Sequence, residues 1–214
     1  MDHQKIREFQ IYQHHNNIGL ANILNIGLKK IKTTWVIRVD GDDICLSNRF
    51  KRIMDNAKPN FSIISSYIRE IDENQISRIK KNPISQEHIA KYIKIRNPFN
   101  HCAVAYQKNH VINVGGYPDI FLQEDYGLWV KMIAKGYQGL NIPEVLVEAS
   151  FNHKSYIRRS GIAYLKSDLE LNLLKYNLKL INIFELIIIF LIRSSFLLLP
   201  NILKKQFYNF LRSN

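Results

Sequence analysis

Cysteine is almost missing from this chain: Cys45 and Cys102 are the two among 214 residues, far apart and outside any CxxC or Cys/His ligand spacing. Neither a disulfide framework nor a zinc site is indicated, and a reducing cytosol suits such a chain. Glycine and proline are few, 9 and 6, beside a hydrophobic fraction of 46%. A disordered chain has the opposite balance, so a packed core is expected. The start, MDHQKIREFQ, lacks the apolar core of a secretory signal, and the working part is expected to face the cytoplasm. Long apolar runs are also lacking. The richest stretch, Leu180 to Leu199, is broken by Asn182, Glu185 and Arg193, leaving Leu186 to Ile192 as its longest clean run. A bilayer span takes about 20 apolar residues. Acidic residues are the last scarcity: 18 Asp and Glu stand against 30 Lys and Arg, a formal charge of +12. Such a balance favours anionic lipid, nucleic acid or diphosphate-bearing ligands. The basic residues are scattered, with small clusters at Lys29-Lys30, Lys80-Lys81, Arg158-Arg159 and Lys204-Lys205 and no basic stripe interleaved with aromatics, which speaks against nucleic acid.

What is present alternates between strand and helix patterns, the mark of an α/β domain. A short strand is expected near Gln10 to Gln13. Leu20, Ile23, Leu24, Leu28 and Ile31 fall at helical spacing, predicting a helix over Leu20 to Ile31. Thr33 to Val39 reads as a buried strand that runs into Asp40-Gly41-Asp42-Asp43. A helix over Asn48 to Ala57 with Ser47 as cap, strands at Phe61 to Ile71 and Ile76 to Lys80, and a helix capped by Ser85 and reaching Ile93 follow. Asn97-Pro98-Phe99-Asn100 breaks the chain before a strand at Cys102 to Tyr106. Gly115-Gly116 makes a turn, a helix runs from Glu124 to Lys135 with Gly136 as its stop, and strands at Gly139 to Ile142 and Val145 to Phe151 complete the pattern. From about Ser160 the chain is helical, with Pro200 restarting a basic segment over Asn201 to Arg212.

Three carboxylates within four residues at a strand end repel one another unless a cation or donors compensate. Hard oxygen ligands in a loop suit Mg²⁺ or Mn²⁺ completed by substrate phosphates, while the plain alternative is a solvated turn in which Asp bonds its own backbone. Glu124 and Asp125 likewise have two readings, as reacting carboxylates or as favourable charge at a helix N-terminus. Trp129 lies one turn beyond Asp125 and either walls an acceptor pocket or packs in the core, the second being favoured narrowly. His101 is a candidate contact for phosphate or acceptor, with a structural hydrogen-bonding role as the alternative, and His153, after the Val145 to Phe151 strand, is a candidate to approach a metal.

Two blocks of text decide between these readings. Asn17-Ile18-Gly19-Leu20-Ala21, Leu24-Asn25-Ile26-Gly27-Leu28, Trp35 through Asp43 and Arg49-Phe50 form one. Arg96 through His101, Val114-Gly115-Gly116-Tyr117, Glu124 through Trp129, Lys135-Gly136-Tyr137 and Ile142 through Val147 form the other. Together they resemble the family 2 glycosyltransferases, in particular those that build capsule, O-antigen and exopolysaccharide. The resemblance implies the GT-A (Rossmann-like) fold and inverting transfer from a nucleoside-diphosphate sugar to a saccharide or lipid-linked acceptor. It places Asp40 near the ribose or sugar, Asp42 at a Mg²⁺ or Mn²⁺ ion, Asp43 in support and Asp125 as catalytic base. Glu124, His101 and Trp129 are then acceptor-side or supporting residues.

Family members open with an apolar strand, a helix and a second strand carrying base-reading acidic residues, and the expectation here is a domain lacking those first strands. Residues 1–157 are expected to form the partial transferase domain and 158–214 a helical, basic and apolar tail. Such a tail suits either peripheral contact with the inner face of the cell membrane or a hairpin packed on its own domain. Two functions follow: sugar transfer in cell-surface polysaccharide synthesis, or a catalytically silent fragment that binds a membrane surface or a partner glycosyltransferase. Binding of a nucleotide-sugar separates them.

Overall fold

The structure, a computed structural model, describes residues 10–13, 16–72, 75–151 and 161–198. His153 and the basic segment from Asn201 to Arg212 lie outside the described residues. In chain order the elements are α1 (Leu20–Lys30), β1 (Trp35–Ile37), β2 (Ile44–Cys45), α2 (Arg49–Asn56), β3 (Phe61–Asp72), β4 (Ser77–Lys80), α3 (Gln86–Tyr92), β5 (Ala105–Gln107), α4 (Lys108–Asn113), α5 (Glu124–Ala134), β6 (Gln138–Phe151), α6 (Gly161–Asn177) and α7 (Ile183–Leu198). A single 3-10 turn covers His101–Ala103.

One mixed sheet carries the fold, in the order β1-β5-β3-β6-β2 with β4 on β3. Its centre is the parallel pair β3 and β6, while β1, β5, β4 and β2 all join antiparallel. The register of the central pair jumps from Ser66↔Ile142 to Tyr67↔Val145, so Pro143 and Glu144 bulge out of the ladder. Proline cannot donate to a ladder, and a bulge is where a strand tolerates it. The two strands expected at Gly139 to Ile142 and Val145 to Phe151 are therefore one bulged strand. Glu144 uses the bulge to reach the Arg52 guanidinium of α2 through both of its carboxylate oxygens.

Other expectations shift for local reasons. Gln10 to Gln13 are exposed and form no strand. Ser47 does not cap α2: Asn48 takes the cap position with a helical backbone, and no side chain bonds there. A capping side chain needs the extended backbone that Asn48 lacks. Ser85 does cap α3, its hydroxyl accepting from the His88 N–H with the backbone extended. Cys102 belongs to the 3-10 turn, not a strand, and the strand begins at Ala105.

The main core gathers Leu28, Ile63, Ile89, Phe99, Tyr106, Tyr117, Leu128, Trp129, Met132 and Leu171, so it joins α1, the sheet, α5 and α6. α5 is legible in its residues: Leu128, Met132 and Ile133 bury one face, and Gly136 ends the helix at a φ of 88°. The turn before it is fixed by one glycine. At Gly116 φ is 69°, and an added Cβ would lie 2.4 Å from Asn25 Oδ1. Asn25 needs that space, since its amide accepts from Tyr117 N and donates to Tyr117 O, at 2.8 and 2.9 Å. This pair ties the two sequence blocks together.

α6 and α7 form a hairpin that packs on the domain. Leu171, Ile181 and Leu186 are buried, and Lys94 pairs with Glu185 at 3.1 Å. The turn is capped reciprocally: Asn182 N donates to Glu185 Oε2 and Glu185 N to Asn182 Oδ1, at 2.8 and 2.9 Å. Among the described residues no helix is long and apolar enough to cross a membrane.

Candidate active site

The acidic loop leaves the end of β1, and each of its carboxylates has a different environment. Asp40 pairs with Arg38 at 2.7 Å, both side chains partly covered. Asp43 accepts from Ser150 N at 3.1 Å, which pins the loop to the end of β6. Burial raises the Asp43 pKa above the usual carboxylate range, against hydrogen bonds from Ser150 and the Cys102 thiol. The thiol itself is pushed up to about 12, first by burial and then by Asp43, so it stays protonated and donates. Asp42 is exposed and makes no hydrogen bond or ion pair among the described residues.

Beneath this loop lies Arg49, fully buried at the start of α2. Its guanidinium donates to Arg38 O at 2.6 Å, Cys102 O at 2.9 Å and Cys45 Sγ at 2.8 Å. One guanidinium thus ties the backbone before the acidic loop, at Arg38, to the side chain after it, at Cys45, and to the Cys102 carbonyl. The Arg49-Phe50 text pointed here without giving this role.

Asp125 stands at the first turn of α5, half-buried. Asn97 Nδ2 donates to its Oδ2 at 2.7 Å, while Asn97 Oδ1 accepts from Phe99 N at 3.1 Å. The second bond fixes which end of the amide faces Asp125, so the break at Asn97-Pro98 orients a carboxylate. Oδ1 of Asp125 makes no hydrogen bond among the described residues. Its neighbour Glu124 is held above the usual carboxylate range, mainly by burial and also by Asp125 and Asp119.

His101 joins the two halves. Its Nε2 is 3.3 Å from Tyr117 Oη, and its ring packs edge-on to Trp129. Burial lowers its pKa to about 4, against the charge of Asp125; Arg38 lowers it further and Asp40 opposes. The imidazole therefore feels the loop ion pair and the α5 carboxylate together, and it is neutral near pH 7. Unfolded, it would take a proton near 6.5, so the unfolded state binds more protons between about 4 and 6.5. Stability is expected to fall as pH drops through that window, by on the order of 3 kcal/mol in full. His101→Asn should flatten the dependence of thermal midpoint on pH between 6.5 and 4.5; an unchanged slope would assign it elsewhere.

Trp129 is completely buried, its ring packed against Phe99, Tyr106 and His101 in the core, which is the packing favoured from the sequence. Its place one turn from Asp125 brings the ring behind His101. Arg38, Asn97 and Tyr117 contact Asp40, Asp125 and His101, and the motif text contained them without marking these contacts.

A family model described as Glycosyl transferase family 2 matches residues 2–121, over half of the chain. The chain belongs to glycosyl transferase family 2. This transferase is 41% identical over 191 residues to the UDP-Gal:alpha-D-GlcNAc-diphosphoundecaprenol beta-1,3-galactosyltransferase of Escherichia coli, covering 84% of the chain and 69% of that protein. An uncharacterized glycosyltransferase of Haemophilus influenzae is 39% identical over 201 residues, 92% of the chain and 74% of that protein. Among solved structures, the mannosyltransferase PcManGT of Pyrobaculum calidifontis, in complex with GDP-Man and Mn²⁺, superposes with a TM-score of 0.53 at 15% identity. The match takes in 76% of the transferase and 45% of that chain, so it spans under half the length of the solved protein. At that identity the likeness speaks for the fold, which is GT-A. The family is an inverting one.

Proposed function

We propose that this transferase moves a sugar from a nucleoside-diphosphate donor to a saccharide or lipid-linked acceptor in cell-surface polysaccharide synthesis, with Asp125 as general base. Asp40, Asp42 and Asp43 face the donor, and the chain works on the cytoplasmic side of the membrane. The observation that carries this reading is the short run from Asn97 to Cys102: the Asn97 amide donates to Asp125 at 2.7 Å, and the Cys102 carbonyl shares the Arg49 guanidinium with Arg38 O at the entry to the acidic loop, so both sets of carboxylates are tethered to one segment. The acceptor hydroxyl gives its proton to the unoccupied Oδ1 of Asp125 while its oxygen bonds to the anomeric carbon. The bond to the diphosphate breaks with its electron pair leaving on phosphate oxygen, and the anomeric centre inverts. Asn97 holds the other oxygen of Asp125 in place, and neutral His101 adds no positive charge beside the base.

Among the described residues no group of three or more His, Cys, Asp and Glu side chains forms a metal cage. Asp42 still fits a divalent ion, because Mg²⁺ and Mn²⁺ are commonly held by one or two carboxylates together with substrate phosphates. Such an ion, Mg²⁺ or Mn²⁺, would neutralise charge growing on the departing diphosphate. Transfer or hydrolysis of a UDP-sugar by the full chain with Mn²⁺, lost in Asp42→Ala and in Asp125→Ala, would support the reading. Failure of the chain to bind a nucleotide-sugar would favour the silent-fragment alternative.

The α7 face offers a membrane contact. Phe184, Ile188 and Leu191, at helical spacing, are 74%, 56% and 60% exposed, and Ile95 is exposed as well. An apolar helix face on a chain of +12 charge suits the surface of an anionic bilayer. The galactosyltransferase relative has an undecaprenol-linked acceptor in its name, which agrees with work at a membrane. The full chain is expected to float with anionic vesicles and to float at least several-fold less as the Phe184→Ser/Ile188→Ser/Leu191→Ser variant. Equal flotation of the two would remove the membrane contact.

A further inference from the structure

Three successive carbonyls close the C-terminal end of α3, and each accepts a hydrogen bond from a different helix. Ile93 O accepts from Tyr126 Oη of α5 at 2.6 Å. Lys94 O accepts from Lys175 Nζ of α6 at 3.1 Å, and Ile95 O from Arg193 Nη2 of α7 at 3.0 Å. Carbonyls at and just beyond a helix C-cap have no intrahelical donors, so side-chain donors from neighbouring helices are apt partners.

The donors are held in turn. Lys175 Nζ also donates to Tyr126 Oη at 2.9 Å and to Asn172 Oδ1 at 3.2 Å. Asn172 Nδ2 reaches Asp168 Oδ2 at 3.0 Å, and Asp168 pairs with Arg193 at 2.8 Å. Lys175, Asn172 and Asp168 are 1%, 2% and 2% exposed. Burying such a set costs free energy that an apolar contact would not, and what it gives in return is fixed geometry. The geometry it fixes borders the active site on two sides. Asn97, two residues beyond Ile95, donates to Asp125, and Tyr126 follows Asp125 on α5.

We propose that Lys175 and Arg193 are positioning residues for sugar transfer: from the α6–α7 hairpin they hold the Ile93 to Asn97 segment against α5, so that Asn97 keeps Oδ2 of Asp125 and Oδ1 stays turned to the acceptor hydroxyl. The proposal rests on Asp125 being the base. It makes the hairpin part of the catalytic arrangement and not an appended tail.

The test uses the full chain with Lys175→Met, Arg193→Gln, Arg193→Lys and, as control, Asn182→Ala, which loosens the α7 cap without touching the three carbonyls. Two readouts are needed: the NMR resonance of the Asn97 side-chain amide, and kcat separated from donor KM. Lys175→Met and Arg193→Gln are expected to move the Asn97 resonance and to lower kcat about tenfold with donor KM nearly unchanged, because the base shifts while the donor loop does not. Arg193→Lys should recover part of both, and Asn182→Ala should change neither. An unmoved resonance and unchanged kcat in Arg193→Gln, whose side chain is partly exposed and whose loss the fold should survive, would overturn the proposal. So would equal effects from Asn182→Ala, which would mark general loosening. If the unaltered chain transfers no sugar, the base reading falls by itself, and the Asn97 resonance in Arg193→Gln still decides whether the clamp exists.

Discussion

Asp125→Ala is expected to lower kcat by about a hundred- to ten-thousand-fold while leaving donor KM within about twofold, the range that loss of a general base produces. The split follows from where the groups sit. The donor loop is held by Arg38, Arg49, Cys102 and Ser150, none of which touches Asp125 through a hydrogen bond. Removing the carboxylate leaves that loop in place and takes away the proton acceptor. Asp125→Asn keeps the size but not the basicity, and Asn97 can still bond its oxygen, so it should fold as well as the parent and turn over as poorly as the alanine variant. Steady-state kinetics with a UDP-sugar and a saccharide acceptor check this. A kcat reduced less than about threefold in Asp125→Asn would move the base elsewhere, with Glu124 as the first residue to try, since burial already raises its pKa.

Arg49→Met is expected to cost roughly 3–5 kcal/mol of stability, because it takes the donor away from the half-buried carbonyls of Arg38 and Cys102 and removes a fully buried side chain that bonds both. For a chain of this size that is roughly a 10 °C fall in thermal midpoint, measurable by calorimetry. A functional signature should accompany it. Arg38 carries the ion pair to Asp40, and Cys102 donates its thiol to Asp43, so releasing both backbones lets two of the three loop carboxylates drift. Donor KM should rise several-fold while the Asp125 side of the site stays intact. Arg49→Lys, with one ammonium in place of the fork, can serve some of the acceptors and should fall between parent and methionine variant. A Met variant that melts within a degree or two of the parent would show that water or neighbouring donors take over the carbonyls.

How far the sequence led depended on how local each cause is. α5 was readable because its apolar spacing, its two leading carboxylates and the stop at Gly136 all lie within one helix. The Ser85 cap is a bond spanning three residues and was readable for the same reason. α4 was not anticipated, being six residues too short to show a period. Pro143 looked like a break and is a bulge, because whether a proline ends a strand depends on the neighbouring strand and not on its own flanks. For the candidate site, the family resemblance pointed to Asp40, Asp42, Asp43 and Asp125, but Arg49 to Cys102 and Asn97 to Asp125 are contacts across 53 and 28 positions, which no window of sequence displays. The C-terminal segment read as an appendage because its apolar residues are conspicuous, whereas part of its attachment runs through buried Lys175, held by Asn172 and Asp168, residues whose type suggests a solvated face.

The parallel pairing at the centre of the sheet also sets the order of events as the chain is made. The residues of β3, Ser62 apart, pair with residues of β6 roughly 80 positions later, and at about 5–20 residues per second the ribosome takes roughly 4–16 s to supply them. β4 arrives early and covers the Ile68 to Ile71 part of one edge, but the other edge of Phe61 to Asp72 waits unpaired throughout. Arg69 and Glu70 lie within that waiting strand, where charges discourage the Ile63 and Ile64 stretch from pairing with another nascent copy. Slower translation between the two strands should therefore lower soluble yield, a cost set by topology and independent of the stability of the finished molecule.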